Sequence, residues 1–187
     1  MVRIPYPDPK SLPAADRKFL ESLPPLNINR MLAGSSATFQ SMVRLFSSYL
    51  NDGVLEPELR EIIILRTGHL RKSDYEVCNH QSAARVIGMS QERIHALGPD
   101  QDLALFTNEE RLVIQFVDEV VQDGAASKAT FDAVAGFMNT AELLEVTVVV
   151  GVYTMVSQIC ETFEIELEEW PISDSGIEDI ANAVGKL

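Results

Sequence analysis

The sequence contains little cysteine and little positive charge. Only Cys78 and Cys160 are present, far apart and without a CxxC spacing, which excludes a disulfide framework and a cysteine-rich zinc site. The 15 Lys and Arg residues are outnumbered by 28 Asp and Glu residues, and the net charge of -13 repels phosphate backbones and anionic lipid surfaces. We therefore expect neither nucleic acid nor a membrane as a partner.

Long hydrophobic runs are also absent. The most apolar stretch, VTVVVGVYTMVSQIC at residues 146–160, is shorter than a bilayer requires, and polar side chains interrupt it, so we interpret it as a buried core element. No basic segment followed by an apolar one opens the chain, because prolines break up MVRIPYPDPKSLP. We therefore expect a cytoplasmic protein.

The length and composition are those of a chain with one well-filled core. Of the 187 residues, 46% are hydrophobic, and the chain shows no internal repeat. Prolines at positions 5, 7, 9 and 13 predict an irregular N-terminal arm over residues 1–13. Residues 14–170 are expected to form one helical domain, and residues 171–187 an acidic C-terminal tail.

Helix start and stop signals recur along the expected domain and predict an all-α fold. Prolines and capping residues precede the apolar-periodic segments, and glycines follow several of them. The predicted helices are AADRKFLESL, a segment from about Asn27 to Leu50 with a break near Gly34, EPELREIIILRTGHL, SDYEVCNHQSAARVI, EERLVIQFVDEVVQDG, KATFDAVAGFM and residues 141–163. The last segment has a strand-like composition, but its flanks and its length favour a helix.

The segment SDYEVCNH, residues 73–80, places two ionisable residues at helical spacing. On a helix, Glu76 and His80 share one stripe with Ala84 and Ile87. The i, i+4 spacing brings the two side chains together, and a buried carboxylate needs a hydrogen-bond partner. Because imidazole titrates near neutral pH and a desolvated carboxylate can be tuned toward it, the pair is typical of an acid–base site.

Cys78 belongs to a different face of the same helix. It lies about 160° around the helix from His80, near Asp74 and Arg85, so that the thiol and the imidazole cannot meet within this helix. A reactive thiolate needs a nearby base, cation or helix N-terminus. The N-terminus is close, but His80 does not activate this thiol, and we expect Cys78 and Cys160 to be structural.

A second glutamate is predicted to be buried on the preceding helix. Glu61 has Leu65 and Gly68 as its i+4 and i+7 neighbours, whereas Arg60 lies on a more polar side. The glycine allows a close approach of the next helix. Glu61 is therefore expected to face the Glu76 and His80 pair across a helical hairpin.

At these residues the sequence resembles the carboxymuconolactone decarboxylase family, within the superfamily of alkylhydroperoxidase D-like proteins. The matching features are Glu61 and, downstream, the pattern YExxxHxxxAxxxG formed by Tyr75, Glu76, His80, Ala84 and Gly88. The resemblance covers about residues 1–168. It implies an alkylhydroperoxidase D-like helical fold whose subunits associate as homotrimers or homohexamers, with the active pocket near the subunit interface.

The resemblance also separates two chemistries. In the peroxidase branch, a glutamate and the histidine of a CxxCxxxH motif relay protons to two cysteines. Glu61 and His80 match that relay, while the cysteine positions fall on Ser73 and Glu76, which disfavours alkylhydroperoxidase or peroxiredoxin-type antioxidant activity. In the decarboxylase branch the substrate is a small carboxylated lactone, and its decarboxylation with a double-bond shift needs only acid–base groups.

Several of these residues also have a structural interpretation. Ser73 and Glu76 form a capping-box pattern, which is compatible with a catalytic Glu76. His80 also fits a core histidine with one satisfied hydrogen bond. Tyr75 is either a site hydroxyl or a packing aromatic, and Tyr153 is a candidate for the pocket wall. Tyr75, Ser73 and Tyr153 are the predicted substrate-binding residues.

We therefore expect a carboxymuconolactone decarboxylase-like lyase for a small organic acid or lactone. His80 would be the general acid or base, Glu61 would orient it or relay its proton, and Glu76 would fix the pair. No cofactor is expected, and no metal, because no further histidine stands at a recognisable ligand spacing. The alternative from another class is a non-catalytic small-molecule-binding protein.

Overall fold

The computed structural model describes residues 2–98 and 102–168. Every regular element within those two ranges is helical, so the predicted all-α fold is confirmed. The α-helices are α1 (Ala14–Glu21), α2 (Asn27–Leu32), α3 (Phe39–Asn51), α4 (Pro57–Leu70), α5 (Asp74–Val86), α6 (Gln91–His95), α7 (Asn108–Asp123), α8 (Lys128–Val134) and α9 (Thr140–Phe163). Short 3-10 turns cover Pro9–Ser11 and Leu103–Leu105.

The observed helices differ from the predicted ones in two places. The prediction lacked α6, because five residues are too few to show a helical period. It also ran α8 through Met138, whereas the helix ends at Val134. Beyond that end, Gly136 donates its N–H to the carbonyl of Ala133, an i−3 bond that tightens the chain into a turn. The proposed acidic tail lies outside the described residues, and the division into arm, domain and tail stays a prediction.

The described residues group into two compact units. The first comprises residues 2–53 and 159–168, and the second comprises residues 54–158 apart from 99–101. Helix α9 contributes its residues through Gln158 to the second unit and its last turn to the first.

In the first unit, aromatic packing joins α1 to α3. The rings of Phe19 and Phe39 meet edge to face with centroids 5.4 Å apart, and the Phe39 side chain is fully buried. Arg3 from the N-terminal arm pairs with Glu164, just beyond α9, at 2.9 Å. The two chain segments that form this unit are therefore tied to each other through the arm.

In the second unit, α4 is the central helix and packs against α5 and α7. Its run of Ile62, Ile63, Ile64 and Leu65 is inaccessible to solvent, which is expected of a helix that is apolar on most sides and covered by neighbours. The core around α4 draws residues from α5, α6, α7 and the connecting segments. Its buried members are Ile62, Leu65, Ala84, Met89, Ile94, Ala96, Leu97, Phe106 and Ile114.

A charged clamp holds α4 to α7 beside this core. Arg66 forms two hydrogen bonds to the carboxylate of Asp118, at 2.6 and 2.8 Å, and also donates to the carbonyls of Leu97 and Gly98. A bidentate guanidinium–carboxylate pair fixes orientation as well as distance. Arg66 thus sets how α4, the loop after α6 and α7 lie against one another.

Helix α9 is long and apolar. By length and composition alone it could cross a membrane, and 44% of its most apolar 18-residue stretch is buried. A core helix of a soluble protein has the same properties, so this finding does not by itself indicate a membrane span.

Most predicted helix ends are present, but the cap at Ser73 is not. Thr107 and Glu110 form the capping box of α7, and the Ser127 hydroxyl caps α8. At α5 the capping-box interpretation is wrong, because Ser73 makes no side-chain cap bond and its N–H donates instead to the carbonyl of Gly68 at 3.0 Å. Within the described chain, the Ser73 hydroxyl is buried and has no hydrogen-bond partner.

We predict that replacing Ser127 by alanine lowers stability, whereas replacing Ser73 by alanine does not. Ser127→Ala removes a formed cap and should lower the free energy of unfolding by about 1 kcal/mol. Ser73→Ala removes a buried hydroxyl without a partner and should leave that free energy unchanged or raise it by about 1 kcal/mol. Urea unfolding of both variants measures the difference, and an equal loss in both would show that Ser73 caps α5 after all.

Candidate active site

Helices α4 and α5 approach closely because of a glycine. A Cβ atom placed on Gly68 would lie 3.2 Å from Cγ2 of Val77 and 3.6 Å from Cβ of Glu76. A Cβ atom at this position requires the Val77 side chain to shift by a few tenths of an ångström, so Gly68 permits the close approach that was predicted here. The close approach brings the facing side chains of the hairpin within hydrogen-bonding range.

Glu61 and His80 meet across this hairpin. The Nδ1 atom of His80 lies 2.8 Å from Oε2 of Glu61, the length of a charge-assisted hydrogen bond. Glu61 is only 4% exposed, whereas the His80 side chain retains 16% of its surface. The carboxylate is therefore buried, and the imidazole is the more solvent-exposed group of the pair.

Glu76 approaches the other nitrogen of the same imidazole. Its Oε2 atom lies 3.8 Å from Nε2 of His80, which is close enough for electrostatic attraction but longer than a hydrogen bond. Glu76 is also buried, at 5% exposure. The structure thus brings together the three residues predicted as catalytic, with His80 between two buried carboxylates.

This arrangement favours the protonated form of His80. Burial alone would disfavour the imidazolium, but the charge of Glu61, its hydrogen bond and the charge of Glu76 outweigh burial and the opposing charge of Arg60. The pKa of His80 is therefore raised above its ordinary value. Since an ionised Glu61 only accepts hydrogen bonds, neutral His80 keeps its hydrogen on Nδ1 and leaves Nε2 as the basic atom.

The predicted substrate-binding residues are all buried, and one of them contacts His80. The ring of Tyr153, on α9, lies edge to face with the His80 ring, with centroids 4.8 Å apart. Tyr75 is 3% exposed and Ser73 is fully buried, so both side chains are packed inside the second unit. Their role toward a substrate stays a prediction.

Cys78 does not join the site. It is exposed on α5, and the charges that act on it are those of Asp74 and Arg85, its expected neighbours. Partial burial and the charge of Asp74 raise the pKa of the Cys78 thiol, although Arg85 opposes them. A raised pKa reduces the thiolate fraction that peroxide chemistry requires.

The charge of Arg60 also acts on the site. Helix spacing predicted Arg60 on a more polar side of α4, yet its charge acts on His80. Its position next to Glu61 in the sequence could have indicated this proximity. Neighbouring helical residues point about 100° apart, however, so adjacency alone did not place Arg60 near the site.

In residues 2–98 and 102–168, no three His, Cys, Asp or Glu residues are grouped as a metal site.

We predict that the close approach at Gly68 makes this glycine respond differently from another helical glycine. Gly151 on α9 has no atom within 4 Å of an added Cβ, so Gly151→Ala should raise the free energy of unfolding by about 0.5–1 kcal/mol through helix propensity. Gly68→Ala should show no such gain, because its Cβ must push Val77 away. Equal gains in urea unfolding would contradict the close packing of α4 and α5.

We predict that Glu61→Gln lowers the pKa of His80, because the nearby negative charge and its hydrogen bond are weakened while burial remains. Histidine ring resonances followed by NMR from about pH 5 to about pH 9 measure this shift. Glu58→Gln is the matched control, since Glu58 lies on the same helix and pairs with Arg93. A His80 pKa that fell equally in both variants would show that Glu61 is not its specific partner.

The same variant has a defined effect on the pH dependence of stability. Because its folded-state pKa is raised, His80 contributes stability that is fully present below its ordinary value of 6.5. This contribution is lost as the pH rises through the raised value. Urea unfolding across that range should show this loss in the wild type and a flatter profile in Glu61→Gln.

Comparison with protein families matches residues 37–119 to the carboxymuconolactone decarboxylase family. The matched region contains Glu61, Glu76 and His80, together with the whole of α4 and α5. A comparison with curated proteins finds no match.

Solved structures with a similar fold cover most of the chain at low sequence identity. A peroxidase-related protein from Ralstonia eutropha with an alkylhydroperoxidase core has a TM-score of 0.79 at 17% identity, over 90% of this chain and 93% of its own. A peroxidase-related protein from Silicibacter has a TM-score of 0.75 at 15% identity, over 90% and 91%. A debrominase in its apo form has a TM-score of 0.69 at 14% identity, over 92% and 95%.

At these identities the solved structures show the fold and leave the chemistry open. The resemblance predicted from the sequence is confirmed. The protein has the same all-α fold as these solved structures, and its residues 37–119 match the carboxymuconolactone decarboxylase family.

Proposed function

We propose that the protein is an acid–base enzyme, a carboxymuconolactone decarboxylase-like lyase that acts on a small organic acid or lactone. The observation that supports this most directly is the 2.8 Å hydrogen bond between Nδ1 of His80 and buried Glu61. This bond leaves Nε2 of the same ring to exchange a proton, because Nδ1 is already hydrogen-bonded to Glu61. The family match over residues 37–119 agrees with this chemistry.

In the proposed reaction His80 supplies one proton. The carbon–carbon bond to the substrate carboxylate breaks, carbon dioxide leaves, and the electron pair moves through the adjacent double bond. Protonated His80 then delivers its Nε2 proton to the carbon at the end of the shifted double bond, and the neutral ring regains a proton from solvent. The product thus carries a hydrogen in exchange for the lost carboxylate.

The two glutamates have different proposed roles. Glu61 accepts a hydrogen bond from the Nδ1–H group, which keeps the ring in one tautomer and stabilises the imidazolium. Glu76, 3.8 Å from Nε2, adds negative charge on the reacting side and helps to recharge the ring. This division follows from the two distances, because a hydrogen bond is directional and a longer ion pair is not.

The charges around His80 bear on the class of substrate. An anionic substrate would meet the negative charges of Glu61 and Glu76, which repel it. Its binding therefore requires the positive charge of protonated His80, assisted by Arg60, whose charge acts on the same ring. We propose that anionic substrates bind best in the pH range in which His80 is protonated.

Thiol-dependent hydroperoxide reduction has weaker support. Two of the solved structures are peroxidase-related proteins, but the positions of the redox cysteines are Ser73 and Glu76 here. Cys78 is exposed, has a raised pKa and is not brought to His80. Self-association as a homotrimer or homohexamer, a cytoplasmic location and independence from cofactors remain predictions.

We predict that His80→Gln lowers kcat by about 100-fold or more on any accepted substrate, because a positioned acid–base group contributes about 10²–10⁴-fold. The probes are a panel of small carboxylated lactones, with release of carbon dioxide as the measurement. His95→Gln is the matched control, since His95 is exposed and its ring pairs with Gln91. Full turnover by His80→Gln would contradict the proposed role.

The peroxidase alternative is tested on the same preparations. Consumption of an organic hydroperoxide in the presence of a dithiol, abolished in Cys78→Ser and unaffected by His80→Gln, would favour it over the lyase. Absence of both activities in the wild type, together with saturable binding of one lactone, would favour the non-catalytic binding protein.

A further inference from the structure

Tyr153 reaches His80 from α9, which carries none of the three ionisable groups. The two rings are nearly perpendicular, with an interplanar angle of 89° and centroids 4.8 Å apart. This is a favourable edge-to-face geometry for an aromatic pair. Tyr153 is only 5% exposed, so its own ring is buried and has little freedom to move.

The glutamates alone leave one motion of the His80 ring unrestrained. The hydrogen bond from Nδ1 to Glu61 fixes one corner of the imidazole, and the χ2 torsion of histidine has a broad energy profile. On the opposite side of the ring, Oε2 of Glu76 lies 3.8 Å from Nε2. At this distance Glu76 attracts the protonated ring electrostatically but does not fix its orientation. A further contact is needed to define the plane of the ring.

The perpendicular ring of Tyr153 supplies that contact. Rotation of the imidazole about χ2 would bring its edge or face into the tyrosine ring, which has little room to move because it is buried. The orientation that remains is the one in which Nδ1 meets Glu61 and Nε2 is directed away from it. The tyrosine thus holds the ring plane in which Nδ1 meets Glu61, and the hydrogen bond formed in that plane fixes the tautomer.

We infer that Tyr153 is a positioning residue, which holds the His80 imidazole in the orientation that presents Nε2 for proton transfer. The use of Nε2 rests on the proposed acid–base function, whereas the ring orientation does not. The inference also distinguishes Tyr153 from a simple pocket wall. A wall residue would change mainly KM, while a positioning residue acts through His80 and changes mainly kcat.

The experiment compares the full-length wild type with Tyr153→Leu, Tyr153→Phe and Tyr49→Leu. Tyr49 is the matched control, because it is buried to the same 5% exposure but lies in the first unit. Proteins labelled with 15N in histidine report the tautomer and titration of each ring by NMR. The spectrum of His80→Gln identifies the His80 signals among the three histidines of the chain.

In the wild type and in Tyr153→Phe, we expect neutral His80 to be one tautomer, with its hydrogen on Nδ1. In Tyr153→Leu, the two nitrogen shifts should move toward those of a mixture of tautomers. On an accepted lactone, kcat of Tyr153→Leu should fall about two- to tenfold, the factor that corresponds to the contribution of an aromatic pair, with less change in KM. Tyr49→Leu should leave both readouts unchanged.

Three outcomes would overturn the inference. They are an unchanged His80 tautomer in Tyr153→Leu, an equal shift in Tyr153→Phe, which would assign the effect to the hydroxyl, and an equal shift in Tyr49→Leu, which would indicate general loosening. If Tyr153→Leu does not fold, Tyr153→Met replaces it as a ring-free variant of similar volume. If no lactone is turned over, the proposed function fails, and the tautomer measurement still decides whether Tyr153 positions His80.

Discussion

Burying two carboxylates beside one another is electrostatically costly, and the second unit depends on how that cost is met. Glu61 and Glu76 are both about 95% removed from solvent, and protonation of the imidazole between them offsets part of their charge. Such an offset works only at short range, which is why the spacing of α4 and α5 matters. A single glycine allows that spacing, and the helix that carries Glu61 is itself clamped to α7 through Arg66 and Asp118.

The sequence predicted those parts of the structure that depend on local pattern. Helical periodicity with glycines and prolines at the ends gave α4 and α5, and the expected close approach at Gly68 is present. The i, i+4 spacing of Glu76 and His80 correctly placed two ionisable groups together on a largely buried face. The separation of Glu61 from the pair along the chain did not prevent its placement, because its apolar neighbours and Gly68 predicted a buried glutamate that faces the next helix, and the family resemblance agreed with this.

The errors arise where tertiary contacts outweigh local preference. Ser73 has the sequence of a cap, but its N–H is taken by the carbonyl of Gly68 as α5 turns back onto α4. Ile87 was expected on the apolar stripe of α5, yet it follows the end of the helix and is 44% exposed. Tyr153 was predicted as a candidate for the pocket wall, but its contact with the His80 ring joins distant parts of the chain, and no local period indicates that contact. Arg60 was likewise assigned to a polar side of α4 from helix spacing alone, although its charge acts on His80.

The similar structures show that this fold does not by itself determine which reaction a protein catalyses. Proteins described as peroxidase-related and as a debrominase share the helical framework with this chain at 14–17% identity. A common fold therefore does not carry one reaction, and the reaction depends on a few side chains that project from it. In this chain the side chains proposed for that role are an imidazole and carboxylates on two adjacent helices, together with an aromatic ring from a third.

The buried hydroxyl of Ser73 has a consequence for tolerance to oxidative stress. It stands where the peroxidase branch, by resemblance, has a sulfur atom, and a hydroxyl cannot pass to the sulfenic and sulfinic states that inactivate thiols. Glu76 occupies the second such position, and of the two cysteines of the chain, Cys160 is buried and Cys78 faces away from His80. The proposed proton relay therefore contains no thiol, so a peroxide that oxidises the cysteines of thiol-dependent proteins has no sulfur atom to oxidise among Glu61, Glu76 and His80.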